Sequence, residues 1–214
     1  MKGLFITFEG NEGSGKSTQL ALLAERLRAL GRSVLTSREP GGTPIGEEIR
    51  QTLKHSAANH AMTAEAELLL MNASRAQLVR EVIRPALARG DIVLCDRFYD
   101  STTAYQGYGR ELDLAMVKSV IAIAVGPTRP DLTFLLLVPP ELSATRLRAR
   151  QATLPFLRDR MEEADRGFFD RVTQGYEALA AAEPQRVKRI DAAADAAQIH
   201  EAIWRVVAPL LNVR

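Results

Sequence analysis

The sequence predicts one α/β domain built on a five-stranded parallel sheet with helices on both faces. Three observations lead there. Five short apolar runs alternate with stretches of helical periodicity, and the first run leads through a glycine-rich loop into a helix. The 214 residues, 46% of them apolar, also suffice for one sizeable core.

In chain order, residues 4–8 form a bounded apolar run, read as a buried strand. After the loop, Leu20, Leu23, Ala24, Leu27 and Leu30 recur at helical spacing and Gly31 closes the helix. Residues 33–37 read as a second strand and 44–53 as a short helix. Residues 64–89 form a long helical stretch that Pro85 should kink or divide. A strand follows over 92–95, a helix over 112–125 and a fully buried strand over 132–138. Residues 141–150 and 161–182 are helical, 186–190 is the last strand and 195–207 the last helix. Residues 151–159 break the periodicity with Thr153, Pro155 and flanking arginines, so they read as a flap within a single domain over 1–214. In such a sheet, ligands are expected at the carboxyl ends of the strands.

Composition removes several classes. A net charge of +2 with 25% charged residues fits neither a disordered chain nor a general polyanion binder, so no nucleic-acid partner is expected. Cys95, alone in the sequence, cannot form an internal disulfide and reads as a small buried hydrophobe. The densest apolar run, 134–138, is far shorter than the roughly 20 residues that cross a bilayer. No secretory signal is evident, and the expectation is a cytoplasmic protein without a membrane partner. His55, His60 and His200 show no metal spacing, and Phe168, Phe169 and Trp204 read as core or subunit packing.

The sharpest signal is Gly10-Asn11-Glu12-Gly13-Ser14-Gly15-Lys16-Ser17, which matches G-x-x-x-x-G-K-S between a strand and a helix. Glycines there let backbone N–H groups face phosphates, and the helix terminus adds partial positive charge. Lys16 would reach the β- and γ-phosphates of a nucleoside triphosphate, and Ser17 would offer a hydroxyl to Mg²⁺. A guanine-reading Asn-Lys-x-Asp segment does not occur, which argues against a GTP switch. Asp96 ends an apolar strand, well placed to help hold Mg²⁺, but Arg97 follows it where a water-activating Glu would mark a motor ATPase. An arginine there suits an anionic acceptor. An acceptor phosphate, with a second pKa of about 6, is already a nucleophile near neutrality, so it needs cations and geometry more than a general base.

The segment from Asp96 to Gly107 resembles the D-R-[YF]-x-x-S-x-x-A-Y-Q-G signature of the thymidylate kinase family. Arg38-Glu39-Pro40-Gly41-Gly42-Thr43 with Glu47 and Arg50 resembles the family's R-E-P-G-G-T…E-x-x-R stretch, and Ala73-Ser74-Arg75-Ala76-Gln77 its A-[AS]-R-x-Q helix. The resemblance runs from about residue 2 to 176. It implies a nucleoside monophosphate kinase fold with a short lid, and transfer of phosphate from ATP to dTMP with Mg²⁺ and no covalent intermediate. By the same resemblance Arg50, Arg75 and Arg97 gather around the acceptor phosphate, and Glu12 accepts a hydrogen bond from the sugar 3′-hydroxyl. Ser101, Tyr105 and Gln106 line the base and sugar pocket, with Tyr105 crowding a ribose 2′-hydroxyl. Met71 stands where the family usually stacks a phenylalanine on thymine, which leaves base selectivity open. The resemblance also implies a homodimer.

Arg146, Arg148, Arg150, Arg158 and Arg160 crowd the lid region, about 146–160, and Asp159-Arg160-Met161-Glu162 resembles the family's D-R-[IF]-E. No arginine occupies the variable positions of the phosphate loop, so the transition-state charge should come from the lid, with Arg148 and Arg150 the candidates. Gln151 and the extra residues 152–157 depart from the family pattern. Two other readings stay open at this point: a kinase relaxed toward other nucleoside monophosphates or deoxynucleosides, and a nucleotide-binding regulatory module without turnover.

Overall fold

The computed structural model describes residues 3–151, 160 and 164–211, with the side chains of Arg150 and Gln151 outside the described part. Its sheet has five parallel strands: β1 (Leu4–Gly10), β2 (Val34–Arg38), β3 (Ile92–Asp96), β4 (Leu132–Leu137) and β5 (Val187–Asp191). Their spatial order is β2-β3-β1-β4-β5, so β1 is central and the crossover from β3 to β4 passes over it. Phe8 pairs with Asp96 and Asp96 with Arg38, so β2 and β3 end level with each other, two residues before the end of β1.

Alternation along the strands sorts the side chains onto two faces. Ile6, Phe8, Leu94, Phe134 and Leu136 meet α1 (Lys16–Ala29) and α9 (Ala196–Val207) through Leu23, Leu27, Ile199 and Ile203. On the opposite face Phe5, Val93 and Cys95 pack against α3 (Ala64–Leu78), α4 (Arg84–Arg89) and α6 (Leu114–Val125). Leu135 and Val187 on that face meet α8 (Arg166–Ala182). Burial on both faces is why the strands read as apolar runs with little polar interruption.

The expected strands are found within a residue or two of their predicted ends. The expected division at Pro85 is found: the stretch splits into α3 and α4. Between α3 and α4 the chain continues as a π-helical segment, Val79–Ile83, and Pro85 falls in the first turn of the renewed α-helix. There its missing N–H is tolerated, and a change of helical pitch marks the division. A short helix α2 (Pro44–Lys54) begins at the Thr43 cap, whose side chain accepts from the Gly46 N–H. α5 (Tyr99–Thr102) and a second π-helical segment, Thr103–Gly109, were not anticipated from the sequence pattern. Helix α7 (Pro140–Gln151) leads into residues 152–159, so the predicted flap lies outside the described residues. Among the described residues no helix is long and apolar enough to cross a membrane.

Leu94 lies in β3 with none of its surface exposed, between β1 and β2. Leu94→Ala is expected to lower unfolding free energy by about 2–5 kcal/mol, the cost of lost transfer energy plus a cavity. Urea unfolding should show the midpoint falling with the slope unchanged.

Candidate active site

The phosphate loop follows the last residue of β1. Gly10, Gly13 and Gly15 have φ of 134°, 69° and 90°, a region that side-chained residues avoid, and a Cβ on Gly10 would collide with the Leu136 carbonyl. Lys16 folds back over the loop, its Nζ donating to the Gly10 carbonyl at 3.1 Å and the Asn11 carbonyl at 2.7 Å. Burial lowers its pKa to about 8, with Arg97 acting in the same direction. Ser143 Oγ donates to the Glu12 carbonyl at 2.7 Å, and Arg146 Nη1 to the Gly13 carbonyl at 3.2 Å, both from α7. With four successive carbonyls so taken, an anion in the loop would meet backbone N–H groups. Asn11 ties the loop to the end of β4, donating to the Val138 carbonyl at 2.8 Å. Ser14 is fully buried at the loop's base.

Ser17, in the first turn of α1, donates its hydroxyl proton to Asp96 at the end of β3, 2.5 Å away. Two oxygens from separate elements therefore converge beside the loop.

Arg97, the next residue, has φ 70°, an uncommon value for a residue with a Cβ. This turn aims its guanidinium back under the loop. Nη2 donates to Glu12 Oε1 at 2.6 Å and to the Tyr105 hydroxyl at 3.2 Å, while Nη1 donates to Ser101 and Tyr176 hydroxyls, both at 3.1 Å. Burial disfavours the charge on Glu12, but Arg97, Lys16 and Lys54 outweigh it and hold the carboxyl well below its ordinary range.

Arg75 is used differently. It is 1% exposed, and Nε and Nη2 both bond Glu39 Oε2, at 2.8 and 2.6 Å. Nη1 donates to Asn72 Oδ1 and Thr102 Oγ1, each at 2.9 Å, and Nη2 also to the Phe98 carbonyl at 3.2 Å. Of the five N–H donors of a guanidinium, four hydrogen-bond these partners, and Nη2 also closes the ion pair with Glu39. Arg75 can therefore lend an anion its charge while its hydrogen bonds brace the cleft.

The cleft, about 420 Å³, is lined by Glu12, Met71, Arg75, Arg97, Ser101, Tyr105 and Gln106, all singled out from the sequence, together with Glu39, Pro40, Lys54 and Thr102. Arg50 is not among the lining residues, but its Nη1 donates at 2.9 Å to the carbonyl of Pro40, which is. Met71 lines the cleft and also packs against the cluster of Tyr105 and Phe168, so it is both core and pocket. Arg148 is exposed on α7, away from the contacts just described. Arg150's side chain and Arg158 lie outside the described part, so of the lid's cations only Arg146, Arg148 and Arg160 are described.

Sequence reasoning missed Glu9, which is fully buried next to this cleft. It accepts from the Phe98 N–H at 2.7 Å, Ser101 Oγ at 2.6 Å and the Tyr176 hydroxyl at 2.9 Å, and so sets two of the hydroxyls that meet Arg97. Burial, reinforced by Asp100, raises its pKa to about 7 against the pull of Arg97. An acid inside an apolar strand run was the available signal. Tyr176 and Ser143 were also passed over, because nothing local marks them, and Arg146, noted among the lid arginines, was not expected to bond the phosphate loop.

A family model described as thymidylate kinase matches residues 8–203. The chain is 49% identical over 207 residues to the thymidylate kinase of Alcanivorax borkumensis, covering 97% of both chains. It is 48% identical over 212 residues to that of Pseudomonas fluorescens, covering 99% of this chain and 98% of the relative. Among solved structures, thymidylate kinase from Ehrlichia chaffeensis superimposes with a TM-score of 0.77 at 32% identity, over 97% of this chain and 99% of that one.

The raised pKa of Glu9 has a sign that can be measured. Between its ordinary 4.5 and about 7 the folded chain holds a proton that the unfolded chain has released, so stability is lost as pH rises through that window. Glu9→Gln lacks this dependence. Urea unfolding from about pH 5 to about pH 8 should show the variant gaining on the parent by roughly 2–3 kcal/mol. A pH-independent difference would refute the assignment.

Proposed function

The chain belongs to the thymidylate kinase family, and on that premise we propose that it transfers the γ-phosphoryl group of ATP to dTMP, giving dTDP and ADP. The observation that carries this reading is the Arg97–Glu12 pair, a half-buried cation and an acid of the phosphate loop meeting at 2.6 Å inside one cleft. A donor phosphate site and an anion-accepting pocket thus share a wall. Residues Gly10 to Ser17 cradle the donor phosphates, with Lys16 bridging toward the transferred group. Arg97 takes the acceptor phosphate, Arg75 adds charge and Arg50 steadies Pro40. Glu12 meets the sugar, Tyr105 limits space at C2′, and Met71, Ser101 and Gln106 face the base. The acceptor is an anion at neutral pH, so in-line transfer proceeds without a covalent intermediate or a general base.

The close approach of the Ser17 hydroxyl and the Asp96 carboxylate fits Mg²⁺, which takes few protein oxygens and fills its remaining positions with water and phosphate. Ser17 and Asp96 would hold the ion, and when bound it would neutralise charge on the β- and γ-phosphate oxygens. Arg148 and Arg150 are the candidates for stabilising the transferred group from the lid.

We read the protein as a cytoplasmic homodimer of one-domain chains. Leu69 on α3 and Met116 and Ile123 on α6 are 58%, 38% and 76% exposed, an apolar surface that a second copy would cover.

The deciding experiment is ADP formation from ATP and Mg²⁺ with and without dTMP, beside dUMP, dCMP and thymidine. Strong stimulation by dTMP is expected; none would leave only a nucleotide-binding module. Arg97→Ala should cut dTMP-dependent turnover by about 10²-fold or more while ATP binding stays near parental. Normal turnover in that variant would sink the assignment. Asp96→Asn should raise the Mg²⁺ concentration needed for half-maximal rate, and an unchanged Mg²⁺ dependence would remove Asp96 from the metal site.

A further inference from the structure

Glu67 has no part in the transfer scheme, yet it is a buried and heavily contacted acid. It lies in the first turns of α3 with none of its surface exposed. Three side chains from separate segments donate to it. Gln106 Nε2 reaches Oε1 at 2.7 Å, Arg110 Nη2 reaches Oε2 at 3.1 Å, and Arg160 pairs with Oε2 as well. A carboxylate that neutralises two guanidiniums is an acceptor only. Gln106 can therefore meet it with the amide nitrogen and not with the carbonyl. An amide whose two ends are nearly isosteric is thereby given one orientation by charge.

Gln106 is 1% exposed and lines the acceptor cleft. With one N–H of its amide held by Glu67, the amide is oriented so that its carbonyl oxygen is turned away from that carboxylate. We propose that Glu67 is a positioning residue for base recognition: by holding Gln106 through its amide nitrogen, it makes a hydrogen-bond acceptor the group that Gln106 presents to the base. An acceptor matches a 4-oxo pyrimidine, whose N3 carries a hydrogen, and opposes a 4-amino pyrimidine, whose N3 is a lone pair. The inference rests on the reading of the cleft as a dTMP site.

The test uses Glu67→Gln, which keeps the shape but can donate as well as accept, so that the Gln106 amide can meet it with either end. Arg110→Lys is the control, since it alters the same network but leaves the Glu67–Gln106 bond. Calorimetric dissociation constants for dTMP and dCMP are measured beside kcat and KM for each. The parent should favour dTMP, and Glu67→Gln should narrow the dTMP-to-dCMP ratio by about tenfold or more, in Kd and KM rather than kcat. Arg110→Lys should keep the parental ratio. Glu67→Asp, which withdraws the carboxylate by one methylene, should narrow it as well and serves if the glutamine variant does not fold. A parental ratio in the Glu67 variants, equal narrowing in Arg110→Lys, or a parent without preference for dTMP each overturns the proposal. A parent that binds dTMP selectively but forms no ADP would sink the kinase reading instead, and the binding ratios would still decide the role of Glu67.

Discussion

The site turns on one constraint: a guanidinium has been taken out of water before any ligand arrives. Leaving a buried cation unpaired costs several kcal/mol, so its partners must be built into the fold. Arg97 has its partners on three segments: Glu12 in the phosphate loop, Ser101 and Tyr105 after β3, and Tyr176 on α8. Holding that one group fixes the distance between the loop and the end of β3, and it draws α8 against the cleft. The left-handed backbone at Arg97 is the strain that this placement requires.

Around that cation the fold arranges acids in two ways. Glu12 pairs directly with Arg97 and is held ionised, whereas Glu9 touches only hydroxyls and an N–H, and burial drives it toward neutrality. The two carboxyls are three residues apart in sequence. They differ because Glu9 belongs to the strand and is sealed under α5 and α8, while Glu12 belongs to the loop and opens on the cleft. Farther from the cleft a second buried pair, Asp100 with Arg186 at 2.6 Å, ties α5 to the start of β5. The first network sits at the carboxyl ends of β1 and β3, and the second reaches back to Thr133 near the start of β4.

Arg75 and Arg97 show how much identity depends on surroundings. In the sequence they are two arginines within similar motifs. In the fold, Arg75 is held at all three nitrogens by fixed partners, and its removal would leave Glu39 buried without a counter-ion. Arg97 spends three of its four contacts on hydroxyls, which can exchange one partner for another at little cost. A ligand anion could recruit Arg97 without dismantling the wall that Arg75 supports.

Much of this was legible in the chain itself. The five strands, the phosphate loop and the helix after it follow from periodicity and glycine placement, because both record local backbone geometry. The motif residues of the cleft, Arg97, Ser101, Tyr105 and Gln106, were likewise readable, but through the family resemblance of Asp96 to Gly107, and the helical turns that carry the last three were not. What the sequence could not give were relations between distant segments: Glu9 with Tyr176 across 167 positions, Glu67 with Gln106 across 39, the engagement of Arg75 at all three nitrogens, and the pitch change before Pro85. Local pattern reports which conformations a segment can adopt. Which buried polar groups become partners is decided only when packing excludes water and every remaining donor and acceptor must find a match within the fold.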